Sequence, residues 1–168
     1  MNKVFKDKAV KAVKAYKAYK AYKAMEPVPT LKVKRFSENA VLPKKGRPGD
    51  AGMDLSSAED VVIPAGSWKL VSTGIGITVP LGTYGRIAPR SGVSTKGVSI
   101  NAGVCDRNYT GVVKCLMVNH GSSAFVVNVG DRICQLILEK IVDDCVVEEV
   151  GELDDTERGE LGFGSSGK

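Results

Sequence analysis

The chain has one histidine in 168 residues and four cysteines without a Cys-x-x-Cys pair. It has no apolar run approaching the roughly 20 residues that cross a bilayer. A His/Cys metal cluster has too few ligands, a disulfide scaffold too few cysteines, and no membrane contact is expected. Cys105, Cys115, Cys134 and Cys145 are expected instead as lone buried thiols inside strands, in a reducing compartment. The N-terminal residues lack the apolar centre and small-residue cleavage site of a secretory signal. An intracellular protein is therefore expected, in cytoplasm or nucleus rather than an organelle. There is no Gly-x-Ser-x-Gly elbow, and His120 stands in the turn Asn119-His120-Gly121-Ser122, where a solvated ring is expected rather than a catalytic base.

Excess positive charge is also missing from most of the chain. Residues 1–25 carry eight lysines against Asp7, a net +7; the other 143 residues carry 16 basic and 18 acidic side chains, a net −2. Nucleic-acid binding by the whole protein does not follow from its basic balance. Residues 8–25 repeat Lys-Ala-(Val/Tyr) with a period of three. At about 100° per residue, a triplet step falls 60° short of a helical turn, so Val10, Val13, Tyr16, Tyr19 and Tyr22 wind around a helix and form no fixed apolar face. Ala and Lys favour helix while lysine repulsion opposes it, so the arm, residues 1–26, is expected to be a fraying helix or disordered. Three readings of it stand: a solvated extension, contact with nucleic acid or another polyanion through lysines interleaved with tyrosines, and organelle targeting.

After Pro27 and Pro29 the composition changes. Val, Ile, Thr and Leu come in short runs cut by Gly, Pro, Asn and Asp, which predicts strands over 31–36, 54–57, 61–64, 68–72, 75–79, 83–89, 98–100, 112–119, 124–128, 132–141 and 146–150. Spacings near ten residues predict an all-β sandwich, jelly roll or barrel over residues 27–157. Residues 91–96, after Pro89, read as a short helical turn. Residues 158–168, with four glycines, read as a flexible C-terminal arm. That arm contains Gly162, four residues, then Gly167-Lys168. A phosphate loop needs a preceding strand and a following helix, so the pattern is not read as one, although glycine-rich backbone and the hydroxyls of Ser165 and Ser166 suit phosphate.

The polar clusters lie between strands: Ala51-Gly52-Met53-Asp54, Ala88-Pro89-Arg90-Ser91-Gly92, Gly103-Val104-Cys105-Asp106, Gly130-Asp131-Arg132-Ile133-Cys134-Gln135, and Arg158 with Phe163. Singly, each reads as turn glycines, surface arginines and strand-end carboxylates. In order and spacing, over residues 31–168, they resemble the five motifs of the trimeric dUTP pyrophosphatases (dUTPases). The motifs are similar to residues 51–57, 85–92, 102–111, 130–137 and 158–167.

The resemblance implies a jelly-roll-like dUTPase fold and a homotrimer with active sites shared between subunits. The implied reaction is hydrolysis of dUTP to dUMP and pyrophosphate with Mg2+, lowering dUTP and supplying dUMP for thymidylate synthesis. It assigns Asp106 to orient and deprotonate the attacking water, a role that suits a carboxylate facing an α-phosphorus. Tyr109 is assigned to pack under deoxyribose. Uracil is assigned to a hairpin, through backbone groups of Gly103, Val104 and Cys105 and, across it, Lys114. Arg90, Ser91, Gly92 and Gln135 are assigned to phosphates, and Asp54 to magnesium-bound water. The C-terminal arm is assigned to close over the substrate, Phe163 and Gly164 at uracil, Arg158, Ser165 and Ser166 at the β and γ phosphates. The chain departs from the family pattern at Ser99, Asn101, Cys105, Asn108, Cys134 and Leu161, none of which removes a catalytic group. The alternative is a nucleotide-binding regulatory protein on the same fold with weak or no turnover; a dCTP deaminase is a third reading, disfavoured by Tyr109, Arg158 and Phe163.

Overall fold

The computed structural model describes residues 28–161 and, within the arm, residues 11, 13–17 and 20, which are helical. The remainder of the basic arm, and Phe163, Gly164, Ser165 and Ser166, lie outside the described residues. Eleven strands follow in order: β1 Lys32–Arg35, β2 Gly52–Ser56, β3 Val61–Ile63, β4 Trp68–Ser72, β5 Ile75–Thr78, β6 Thr83–Pro89, β7 Val98–Asn101, β8 Val104–Cys105, β9 Lys114–Asn119, β10 Phe125–Val127 and β11 Arg132–Lys140. One short helix, α1 Ser91–Ser94, interrupts them between β6 and β7.

Every pairing is antiparallel. β2-β11-β6-β8 form a four-stranded sheet, β4-β9-β7 a three-stranded one, and β1-β5 and β10-β3 are two-stranded ribbons. Alternation drives the burial. In β9, Cys115, Met117 and Asn119 are buried and the residues between them are not, as period-two side-chain geometry requires. Leu55, Ile63, Val71, Ile75, Met117, Ile133 and Leu136 form the centre of one core drawn from all the sheets. The one buried amide at its margin is saturated: Asn119 Nδ2 donates to the carbonyls of Ile63, Pro64 and Ser123 at 2.8–3.2 Å, and its Oδ1 accepts from Gly121 N–H.

Three expectations need correction. Residues 146–150 form no strand, and Val146 and Val147 are almost fully exposed; hydrophobic alternation makes a strand only where a partner edge is within reach. Strand β8 was not anticipated, because two residues leave no periodicity to detect. Cys115 and Cys134 are not lone thiols: their sulfurs touch, joining β9 to β11 across the core with Cα atoms 7.2 Å apart, while Cys145 is exposed and outside any strand. Cys105 alone is a solitary buried thiol in a strand.

Candidate active site

Five of the motif residues meet at one place. Asp54 on β2 pairs in register with Gln135 on β11, which pairs in turn with Ala88 on β6. β6 ends at Pro89, and the chain turns there into α1, so Arg90, Ser91 and Gly92 stand beside Gln135. Asp54, Arg90, Ser91, Gly92 and Gln135 line a polar cavity of about 540 Å³. Gln135 is fixed by donating Nε2–H to the Pro89 carbonyl at 2.8 Å. Gly52 is required beneath it, since a Cβ there would come 2.9 Å from Gln135 Cδ. Arg90 Nε lies 2.7 Å from Asp54 Oδ1, and Arg132 Nη1 donates to Asp54 Oδ2 at 3.1 Å. With Arg47 also on its wall, the cavity suits a polyanion.

A second cavity, of about 360 Å³, gathers Val104, Cys105, Asp106, Tyr109 and Lys114, with Leu70 and Ile87 as apolar walls. Its size and mixed lining suit a nucleoside. Tyr109 is held by an O–H bond to the Val112 carbonyl at 2.9 Å, and Gly111 leaves space for its ring, because a Cβ there would come 2.6 Å from the hydroxyl. Gly103 is pressed against Ile87 so closely that a Cβ would collide with the Ile87 carbonyl oxygen, and its own carbonyl accepts Ile87 N–H at 2.7 Å. That carbonyl is thus committed inside the sheet. The β7–β9 register ends at Asn101↔Leu116, after which the chain turns at Ala102 and Gly103 runs along β6, while Lys114 pairs with Ser72 on β4. Ala102 takes φ +50°, the one non-glycine residue in the left-handed region among the described residues. Burial, followed by the charge of Asp106, pushes the Cys105 thiol up.

The two cavities share no lining residue. Cys105 pairs with Gly85, so Asp106 is level with Tyr84 at the start of β6, whereas Arg90 follows its end. At about 3.4 Å per residue, that separates them by about 20 Å along the strand. The two cavities therefore lie toward opposite ends of β6. Arg158 is in neither; its Nε donates to the Leu161 carbonyl at 2.8 Å, on the exposed C-terminal segment.

A family model for dUTPase matches residues 38–167. This chain belongs to the dUTPase family. The deoxyuridine 5'-triphosphate nucleotidohydrolase of Eremothecium gossypii is 53% identical over 140 residues, 83% of this chain and 92% of the relative. Among solved structures, a Staphylococcus bacteriophage 80alpha dUTPase with dUPNHPP matches with a TM-score of 0.78 at 30% identity, covering 83% of this chain and 99% of that one. A mutant dUTPase of phage phi11 of S. aureus, described with a structural Mg(II) ion, matches with a TM-score of 0.70 at 27% identity over 75% of this chain and 99% of that one. The fold is the all-β, jelly-roll-like fold of these dUTPases.

The fit of a magnesium ion to this dUTPase chain turns on Asp54. Both of its oxygens face guanidinium groups, and among the described residues no three His, Cys, Asp or Glu side chains converge. Among the described residues no protein cage for the ion forms. A hard cation carried on phosphate oxygens and reached through water by one partly exposed carboxylate fits the residues present. Sequence reasoning gave no role to Arg132, Arg47, Leu70 or Ala102. Arg132 lay inside a quoted motif, and the consecutive apolar pair Ile133-Cys134 after it was the available signal.

Proposed function

We propose that this chain hydrolyses dUTP to dUMP and pyrophosphate as a homotrimer whose active sites each combine groups from different copies. The observation that carries this reading is the pair of half-sites, one suited to triphosphate and one to nucleoside, about 20 Å apart along β6 in a single chain. A nucleotide spanning both kinds of group needs the phosphate cavity of one copy beside the nucleoside cavity of another. Strongly exposed Trp68, Val142, Val146 and Val147 leave apolar surface for such contacts.

In that assembly Asp106 accepts a proton from water as the water oxygen bonds to the α-phosphorus and the bond to the bridging oxygen breaks, releasing pyrophosphate. Arg90 and Gln135 hold phosphate oxygens and keep the chain of phosphates aligned for in-line attack. Tyr109 packs against the sugar, and the backbone of residues 103–105 with Lys114 reads the base. Mg2+, when bound on the triphosphate, neutralises charge on its oxygens. Arg158, Phe163, Gly164, Ser165 and Ser166 are the proposed cover that excludes further water. The regulatory alternative is less favoured, because no catalytic group of the motifs is replaced.

Pyrophosphate release with Mg2+ tests this directly, comparing dUTP with dCTP, dTTP and UTP. Fast dUTP-selective release is expected, and Asp106→Asn should lower kcat by about 10²–10⁴-fold while dUTP binding persists. Saturable dUTP binding without release by the wild-type protein would transfer the chain to the regulatory class. For the N-terminal arm we propose polyanion contact, supported by its eight lysines with interleaved tyrosines. Affinity for single-stranded DNA should fall steeply with salt and disappear when residues 1–26 are deleted, with dUTP turnover intact.

A further inference from the structure

Strand β11 carries two consecutive buried residues, Ile133 and Cys134, where a regular strand would alternate. They mark a β-bulge: Arg132 pairs with Ser56, and Cys134 already pairs with the neighbouring Leu55. Unbroken alternation from Gln135 would turn Arg132 into the core. The extra residue returns it to the face of Gln135 and Asp54, the kind of re-aiming that bulges perform. On that face Arg132 Nη1 donates to Asp54 Oδ2 at 3.1 Å, while Arg90 Nε lies 2.7 Å from Oδ1. Arg90 Nη1 also donates to the backbone carbonyl of Arg132 at 3.1 Å.

One carboxylate is therefore divided between two guanidinium groups. Alone with Arg90, Asp54 would be able to take two of its N–H groups in a fork-to-fork pair, the strongest arrangement open to them and a direct competitor of phosphate. With Oδ2 occupied by Arg132, it holds Arg90 by Nε only. We propose that Arg132 is a positioning residue for triphosphate capture: it keeps Asp54 from closing on Arg90 and so leaves to the phosphate cavity the outer N–H groups of Arg90 that the Arg132 carbonyl does not take. This rests on reading that cavity as the triphosphate site.

The experiment measures binding of the non-hydrolysable dUpNHpp and of dUMP to full-length protein, with steady-state kinetics alongside. Arg132→Met should weaken dUpNHpp about tenfold, as loss of a charge-assisted contact does, and raise KM for dUTP by a similar factor. Affinity for dUMP, which lacks the β and γ phosphates, should stay within about twofold. Arg132→Lys should recover part of the loss. The loss should be smaller when Arg132→Met is made in an Asp54→Asn background, where no carboxylate competes for Arg90. Equal weakening of dUMP and dUpNHpp would mean a merely structural role, and additive effects of the two substitutions a direct phosphate contact; either result, or unchanged dUpNHpp affinity, overturns the proposal. Wild-type protein that binds dUpNHpp without hydrolysing dUTP would sink the hydrolase reading alone, since positioning is judged on analogue binding.

Discussion

Glu139, on the outer side of β11, accepts the Tyr84 hydroxyl at 2.6 Å and Arg86 Nη1 at 3.0 Å. The bond from Tyr84, then that from Arg86, holds the Glu139 carboxyl below the usual carboxylate range; the same bond to Glu139 raises the Tyr84 phenol above its ordinary value. A depressed folded pKa gives stability that is present above the unfolded value, about 4.3 for Glu, and lost as pH falls through the lower folded value. Glu139→Gln should therefore reduce the fall in Tm between pH 5 and pH 3, measured against the wild type. An unchanged acid limb would show that the trio adds nothing to stability. At this same scale, residue types and their order carried the resemblance through which Asp54, Arg90, Gln135, Asp106 and Tyr109 are proposed as site residues. They were not enough to find Arg132, whose role depends on which way one bulge turns it.

The strands with clean alternation were readable in advance; β4, β6, β9 and β11 begin and end near the expected positions. Short β3, β7 and β10 were anticipated too, at 61–64, 98–100 and 124–128; the two-residue β8 was not, nor was the turn before it. Ala102 sits there at φ +50°, where Cβ crowds the following carbonyl, directly ahead of Gly103, which has no space for a side chain. A β-branched residue adopts that conformation least readily, so Ala102→Val should destabilise the hairpin by about 1 kcal/mol or more. Ala102→Gly should be tolerated. Thermal unfolding of the two variants, with KM for dUTP as the functional readout, checks the ordering; an Ala102→Val protein as stable as wild type would contradict the strain argument.

At the scale of the molecule, the proposed division of the site between copies has a direct consequence. An Asp106→Asn chain keeps an intact phosphate cavity, and a Gln135→Ala chain keeps an intact nucleoside cavity with Asp106. Each alone should be inactive or nearly so. Refolded or co-expressed together, they should form mixed trimers with some sites assembled wholly from unmutated halves, and regain a measurable fraction of wild-type turnover. Absence of any recovery, with mixed trimers verified by mass, would put both half-sites of one reaction in a single chain and refute the shared-site proposal.

Composition and pattern alone determined the chemistry available and the class of fold. Five polar clusters in order, separated by alternating apolar runs, carry that information because side-chain type and period-two alternation are local properties. Tertiary structure decided which groups act together. Asp54, Arg90, Arg132 and Gln135 come from positions as much as 81 residues apart and meet only because β2, β11 and β6 are neighbours in one sheet. Asp106, 16 residues from Arg90 in sequence, is carried away from it to the opposite end of β6 by an antiparallel register. Nearness along the chain reports local conformation, and nearness in space is set by strand pairing; the half-sites of this protein belong to the second.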